Sequence, residues 1–272
     1  MAFTITVSVL LGIMILCLWR FFSGGTGLVL LSKELRSFFF SPIAWVVLTL
    51  VMLLNGLSFT AALADLREGE RSITLTAYTF NSIQFWLAYF FIFPVITMRL
   101  FAEEQKLGTI ETLLTAPVTT IQLLLAKYLA ALTFYIILWL PSLLNFIIFQ
   151  MNSTDDYSSI GSLTGSYTII FLVGMFNIAI GCLASALTKN QLVAAMICFT
   201  FCLLHFLLGF ILQNLSVPDA FRETVAHFST QIHVRAFIDG LIDTRQIIYY
   251  LSFSILLLSI TYHVLEFRKW KI

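Results

Sequence analysis

A chain of 272 residues that is 60% hydrophobic and 11% charged, with a mean hydropathy of +0.96, does not have the composition of a soluble domain, which carries about 25% charged residues. A net charge of +1 provides no electrostatic footprint for a polyanion, so nucleic acid is excluded as a partner. Cys17, Cys182, Cys198 and Cys202 all lie within apolar runs without a C-x-x-C pair, and they read as small packing residues that imply neither a disulfide nor a metal.

Residues 1–19 form an apolar run with no charge before Arg20, so they lack the basic front of a secretory signal. This run stays open between an extra span, an anchor and a start codon placed too far upstream. Gly24-Gly-Thr-Gly27 reads as a flexible joint. Over 28–41, Leu28, Leu31, Leu35 and Phe38/Phe39 recur at helical spacing with Lys33, Glu34, Arg36 and Ser37 between them, which predicts an amphipathic helix along the inner membrane face. The alternative is a linker with an accidental apolar stripe.

A helix needs about 20 mostly apolar residues to cross a bilayer. Six runs meet this, roughly 43–64, 78–100, 123–149, 166–187, 191–213 and 247–265. Open sheet edges cannot face lipid, so the runs are helices. Pro42 opens the first, where a missing N–H is harmless, whereas Pro94 and Pro141 should bend the second and third. In the fourth, Asn177, Gly181 and Ser185 stand four apart, a face that admits another helix closely. Thr188-Lys-Asn190 predicts a tight turn into the fifth. Residues 214–246 are the longest connection. Phe221, Val225, Phe228 and Ile232 recur there, with Arg222, Glu223 and His227 elsewhere, which predicts one or two short helices in the outer leaflet. The tail Glu266-Phe-Arg-Lys-Trp-Lys271 is an interfacial anchor. The expected fold is an all-α integral membrane protein with a six-helix core.

Orientation follows from Lys and Arg. One side holds Arg20, Lys33, Arg36, Arg99, Lys106, Lys127, Lys189, Arg268, Lys269 and Lys271, ten cations against five (Arg67, Arg71, Arg222, Arg235, Arg245) on the other. The positive-inside rule puts the first set, and the C-terminus, in the cytoplasm.

The densest polar segment runs from Arg99 to Lys127 between two apolar runs. Leu100, Leu107, Ile110 and Leu114 fall on one helical face, with Glu103, Glu104 and Glu111 on others. Gly108 interrupts the run, Thr109 is placed to cap a second short helix from Ile110 to Thr115, and Ala116-Pro117 closes it. The pattern predicts a two-part amphipathic lever pressed on the membrane, its acidic groups facing the cytosol. The bland alternative, a solvated loop, accounts for the charges but leaves the stripe and the paired breaks unexplained.

Met98-Arg-Leu-Phe-Ala-Glu-Glu-Gln-Lys-Leu-Gly-Thr-Ile-Glu-Thr-Leu-Leu-Thr-Ala-Pro-Val118 with Leu125-Ala-Lys-Tyr-Leu-Ala-Ala131 resembles the permease subunits of type-2 ATP-binding-cassette exporters. The closest resemblance is to the permeases associated with bacterial gliding motility, and those accessory to nitrous-oxide reductase are similar. Lys33-Glu-Leu-Arg-Ser37, Ser41-Pro-Ile-Ala-Trp45, Gly181-Cys-Leu-Ala-Ser-Ala-Leu-Thr-Lys-Asn-Gln191, Phe237-Ile-Asp-Gly-Leu-Ile-Asp243 and the tail Leu265-Glu-Phe-Arg-Lys-Trp270 match too, so the resemblance covers about 28–272 as one transmembrane domain. Residues 1–27 depart from it, since such permeases usually begin near the surface helix. The resemblance implies that the 99–121 segment is a coupling helix seated in a groove of a cytosolic ATPase. Glu103, Glu104, Gly108, Thr109, Ile110, Glu111 and Leu114 would make that contact. It further implies a bacterial inner-membrane location, a second permease subunit, identical or related, and two ATPases.

The chain has no G-x-x-x-x-G-K-S/T phosphate loop, so ATP hydrolysis is expected on a separate subunit and no cofactor is called for. Asp155 and Asp156 lack a third ligand, and Gly161-Ser-Leu-Thr-Gly165 misplaces its Ser for a nucleophile elbow. His205, the ionisable residue deep within a span, reads as a neutral His bonded to backbone or a hydroxyl. An ion-coupled transporter would carry Asp, Glu or Lys away from its span ends, and an intramembrane enzyme would cluster its catalytic groups. Neither pattern is present. A non-transporting anchor or force-transmitting subunit remains the alternative.

Overall fold

A backbone with no water around it must satisfy its own N–H and C=O groups, and this chain does so with helices. A computed structural model describes residues 26–67, 74–115, 118–152, 160–214 and 225–270, and no strand occurs among them. In chain order the helices are α1 (Thr26–Phe40), α2 (Pro42–Arg67), α3 (Leu75–Asn81), α4 (Ile83–Thr97), α5 (Ala102–Leu107), α6 (Thr109–Thr115), α7 (Thr120–Asn152), α8 (Ile160–Leu187), α9 (Gln191–Asn214), α10 (Thr230–Ile238) and α11 (Thr244–Lys269). Six segments are long and apolar enough to cross a membrane: Pro42–Asp65, Ile83–Leu107, Thr120–Met151, Gly161–Leu187, Gln191–Ile211 and Thr244–Lys269. The protein is an all-α, multi-pass membrane protein. The apolar run at 1–19 lies outside the described residues, as do Ala116-Pro117 and the region of Phe221 and Arg222.

The crossing expected as one helix over 78–100 is two helices, because Ser82 breaks it. Its backbone is extended (ψ 152°), and its hydroxyl accepts from Phe85 N at 3.2 Å and donates to Thr79 O at 2.7 Å. A serine that caps one helix and closes the previous one offers the backbone a local alternative to continued helix. Ser58 of α2 secures the joint by donating to the same Thr79 carbonyl at 2.8 Å. At the other end of α4 the chain leaves the helix at Met98, ahead of α5.

Helix α8 is the axis of the fold. It is the most buried of the six spans and packs against α4, α7, α9, α10 and α11. The close-approach face read at Asn177, Gly181 and Ser185 meets the α4–α5 chain. Asn177 Nδ2 donates to Tyr89 Oη at 3.1 Å, and a Cβ at Gly181 would lie 2.1 Å from Thr97 Oγ1. The 188–190 turn is as expected, with Asn190 Oδ1 accepting from Leu192 N at 3.0 Å to start α9.

Of the one or two short helices expected over 214–246, α10 is described, and the stripe through Val225, Phe228 and Ile232 is divided ahead of it. Ser229 accepts from Ile232 N at 3.3 Å and starts α10 only at Thr230, and Gly240 (φ +80°) follows its end. Helix α10 lies against the start of α8, where Gly165 lets the Phe237 carbonyl approach. Helix α1 forms as expected, but the residues it buries are Gly27, Leu30 and Glu34, while Leu28 is exposed. It packs on α7, where Phe38 stacks on Phe134 with ring centroids 5.4 Å apart. His205 Nε2 pairs with Tyr249 Oη at 3.1 Å and its Nδ1 with Thr230 Oγ1, the hydroxyl partnership expected of a neutral His.

The contact at Gly181 is checked by substitution. Gly181→Ala should cost about 1–3 kcal/mol from overpacking, read as a lower melting temperature in detergent. Thr97→Ala in the same chain should restore little, because Thr97 Cβ itself lies 2.4 Å from the added methyl. Full rescue by Thr97→Ala would show that the two helices do not meet here as described.

Candidate functional site

The polar segment folds as the two helices its breaks predict. α5 ends at Gly108, whose φ of +74° is a left-handed conformation that suits glycine, and α6 starts directly after it. Thr109 is the first residue of α6 rather than its cap, and its hydroxyl points back toward Glu104 O at 3.5 Å.

The start of α5 has no cap of its own, since Phe101 holds that place. Ser185 of α8 caps it from across the bundle. Its hydroxyl oxygen accepts from Phe101 N and Ala102 N, both at 3.0 Å, two donors that a helix start leaves orphaned. One turn on, Gln105 is buried and joins three helices. Its amide donates to Ala186 O at 2.9 Å, at the end of α8, and its carbonyl accepts from Arg268 Nη1 of α11 at 2.8 Å. Thr120, the first residue of α7, donates to Glu266 Oε2 of α11 at 2.7 Å and ties the far end of the segment to the same helix.

The charges are spent in two groups. Arg99 grips Glu103 with two bonds (Nε–Oε2 2.7 Å, Nη2–Oε1 3.0 Å) and donates to Ser41 Oγ at 2.9 Å. Lys127, inside α7, reaches Glu104 Oε1 at 2.7 Å and Glu34 Oε2 at 3.2 Å, with its side chain 3% exposed. An isolated ammonium at such a depth would carry a desolvation penalty of several kcal/mol. Two carboxylates from two other helices offset it, and the Phe101 ring lies 5.6 Å from the ammonium. The triad therefore clamps α1, α5 and α7 together.

This arrangement corrects the expectation that the acidic groups all face the cytosol over a continuous apolar stripe. Glu104 is turned inward to Lys127, and Glu103 is half-buried on Arg99. Leu100 and Ile110 are buried, while Leu107 is 68% exposed, because the breaks at 98–101 and Gly108 rotate the three residues apart. The side chain of Leu114 lies outside the described ones. What remains outward is a patch around the Gly108 break formed by Lys106, Leu107, Thr109 and Glu111.

Sequence reasoning missed Glu34, Gln105, Ser185 and Arg268 as partners of this segment. One signal was available. Lys127 stands in Leu123-Leu-Leu-Ala-Lys-Tyr-Leu-Ala-Ala131, seven residues past the start of α7, and a cation in an apolar run calls for a buried carboxylate. It also means that the spans do hold an ionisable group away from their ends.

The model of the ABC-2 family transporter proteins matches residues 30–205, more than half of the chain and all of the segment just described, and the chain belongs to that family. No curated protein matches it. Members of the family are the membrane component of ATP-binding-cassette transporters and work with an ATPase subunit, so the protein is a transmembrane permease.

Removing the cation tests the clamp. Lys127→Met should destabilise the protein by about 3–5 kcal/mol, the usual cost of leaving a buried ionic partner uncompensated. Glu34→Gln with Glu104→Gln in the same chain should recover part of that loss, because no charge is then left unpaired. Thermal unfolding in detergent reads both. A Lys127→Met protein as stable as the parent would mean that the triad does not hold these helices.

Proposed function

We propose that the α5–α6 element is the lever through which a cytosolic ATPase drives this permease. In this reading the outward patch at Lys106, Leu107, Thr109 and Glu111 enters a groove of the ATPase, and Gly108 sets the angle between the two short helices. The observation that carries the proposal is the contrast between the two sides of the element. Its inner side is fixed to α1, α7, α8 and α11 by the Lys127 triad, Ser185 and Gln105, and to the α1–α2 joint by the Arg99–Glu103–Ser41 group, whereas its outer side is solvent-exposed. A displacement applied to the outer side is then passed to the spans rather than lost in a flexible loop. Glu103, Glu104 and Ile110 act as positioning residues for that surface, and Gly108, Thr109 and Glu111 belong to the contact itself.

The positive-inside count supports a cytoplasmic location for this element and the C-terminus, in a bacterial inner membrane. Two such permeases, identical or related, would enclose the path and work with two ATPases as an exporter. The motif from Met98 to Val118 resembles that of the gliding-motility-associated permeases, which supports that subgroup as our reading, with force transmission to a larger assembly as the alternative to export.

Leu107→Asp and Gly108→Pro test the lever. The first puts a charge on the exposed apolar contact, and the second cannot adopt the φ of +74°. Leu107→Asp should keep the parent melting temperature within a few degrees, Gly108→Pro should lower it because the joint must rearrange, and both should lose the cognate ATPase on co-purification. Retention of the ATPase at parental stoichiometry by both variants would remove this patch from the interface. In proteoliposomes, ATPase binding without vanadate-sensitive flux would favour the force-transmitting reading.

A further inference from the structure

Helix α11 differs from the other described spans in two respects. Of the six segments long and apolar enough to cross a membrane, it alone contains neither glycine nor proline, so nothing in its sequence kinks or softens it. Its buried residues Tyr250, Ser254, Thr261 and Leu265 fall on one helical face, and the helix packs on α8 and α7. The hydroxyls along its middle return to its own backbone: Ser252 donates to Tyr249 O, Ser254 to Tyr250 O, Ser259 to Ile255 O and Thr261 to Leu257 O. They add no bond to α8, so the contact can slide, and small sliding of packed helices is a recurrent form of conformational change.

The polar ties of α11 lie toward its two ends. At the inner end Arg268 Nη1 donates to Gln105 Oε1 of α5 at 2.8 Å, and Glu266 Oε2 accepts from Thr120 Oγ1 at 2.7 Å. Gln105 also donates to Ala186 O at the end of α8, so a rotation of α5 moves α11 relative to α8. At the outer end Tyr250 Oη pairs with His233 Nδ1 of α10 at 3.1 Å. Its neighbour Tyr249 reaches the same helix through His205, whose Nε2 lies 3.1 Å from Tyr249 Oη and whose Nδ1 pairs with Thr230 Oγ1. Helix α10 thus has its first turn tied to α11 and its last residue tied to α8, where Ser162 donates to the Ile238 carbonyl. Sliding α11 along α8 tilts α10 about Ile238.

We infer that α11 is a rigid rod that carries the displacement of α5–α6 across the membrane to α10. Gln105 and Arg268 are its positioning residues at one end, and Tyr250 and His233 at the other. Between Tyr250 and Arg268 the rod is about 27 Å long at 1.5 Å per residue. Helix α8 is the fixed track beside it, because close contacts of Gly174 on Tyr135 and of Gly181 on Thr97 pin α8 to α7 and α4. The inference rests on the lever reading of α5–α6 and names the second element that the lever moves.

The complex of the full chain with its ATPase, held in nanodiscs, tests it. Cys182, Cys198 and Cys202 are buried, so with Cys17→Ser in the background the half-buried position Ile232→Cys on α10 supplies one reactive thiol. Its rate of reaction with N-ethylmaleimide should change about fivefold on trapping with ATP and vanadate, the lower end of ordinary coupling between sites. Arg268→Ala and Tyr250→Phe, at opposite ends of the rod, should each abolish that change and still co-purify with the ATPase. Arg268→Lys, which keeps a donor for Gln105, should retain most of it. Tyr250→Phe removes a single hydroxyl, so the test survives if Arg268→Ala fails to fold. A parental change in either folded variant would overturn the rod, as would an unresponsive α10 in a parent whose bound ATPase hydrolyses ATP, and both results leave the lever in place. Retention of the ATPase by Leu107→Asp and Gly108→Pro would instead remove the lever, and this inference with it.

Discussion

An ammonium placed inside a membrane helix is the constraint around which the rest of this structure is arranged. Lys127 cannot be hydrated where it sits, and its charge is tolerated because Glu34 and Glu104 come to it from two different helices. Meeting that demand settles where α1 lies, how α5 is rotated and which face of α7 turns inward. The geometry is costly to disturb and so holds a single arrangement, which is the property a lever requires.

The triad would be a weak anchor alone, because salt bridges set registry better than they add stability. It is reinforced by neutral groups that use the ends of helices. Ser185 caps α5 in trans, Gln105 takes a carbonyl at the end of α8 and is itself held by Arg268 at the end of α11, and Thr120 binds Glu266 of α11. Helix ends carry orphaned donors and acceptors, and this protein gathers several such ends at one corner so that each completes another. At the opposite end of α8, about 35 Å away at 1.5 Å per residue between Ser185 and Ser162, α10 is held in the same manner by Ser162 donating to the Ile238 carbonyl.

Much of the fold was legible because lipid removes choices. The six spans, the inward glycine face of α8, the 188–190 turn and the Gly108 break all follow from local rules of length, side-chain size and φ. The differences have separate causes. Ser82 lies in Phe80-Asn-Ser-Ile-Gln84 inside a run that is apolar on average, and average hydropathy does not register a cap. The stripe from Leu100 to Leu114 was read as one face because helical phase was carried across two breaks. The acidic residues were read as outward because charges usually are, yet Glu34 and Glu104 are inward since Lys127 is there to meet them. The exposed part of the candidate site, at Gly108, Thr109 and Glu111, was legible, whereas its supports were separated in sequence by up to 163 residues, as Gln105 and Arg268 are.

Composition and periodicity by themselves determined that the protein is helical, that it spans a membrane several times and that one polar segment breaks twice between two spans. These are properties of short stretches of chain in contact with lipid or water. Which charges of that segment face solvent and which are consumed inside was decided only by tertiary structure, because an ion pair depends on the distance between side chains and not on their separation along the chain.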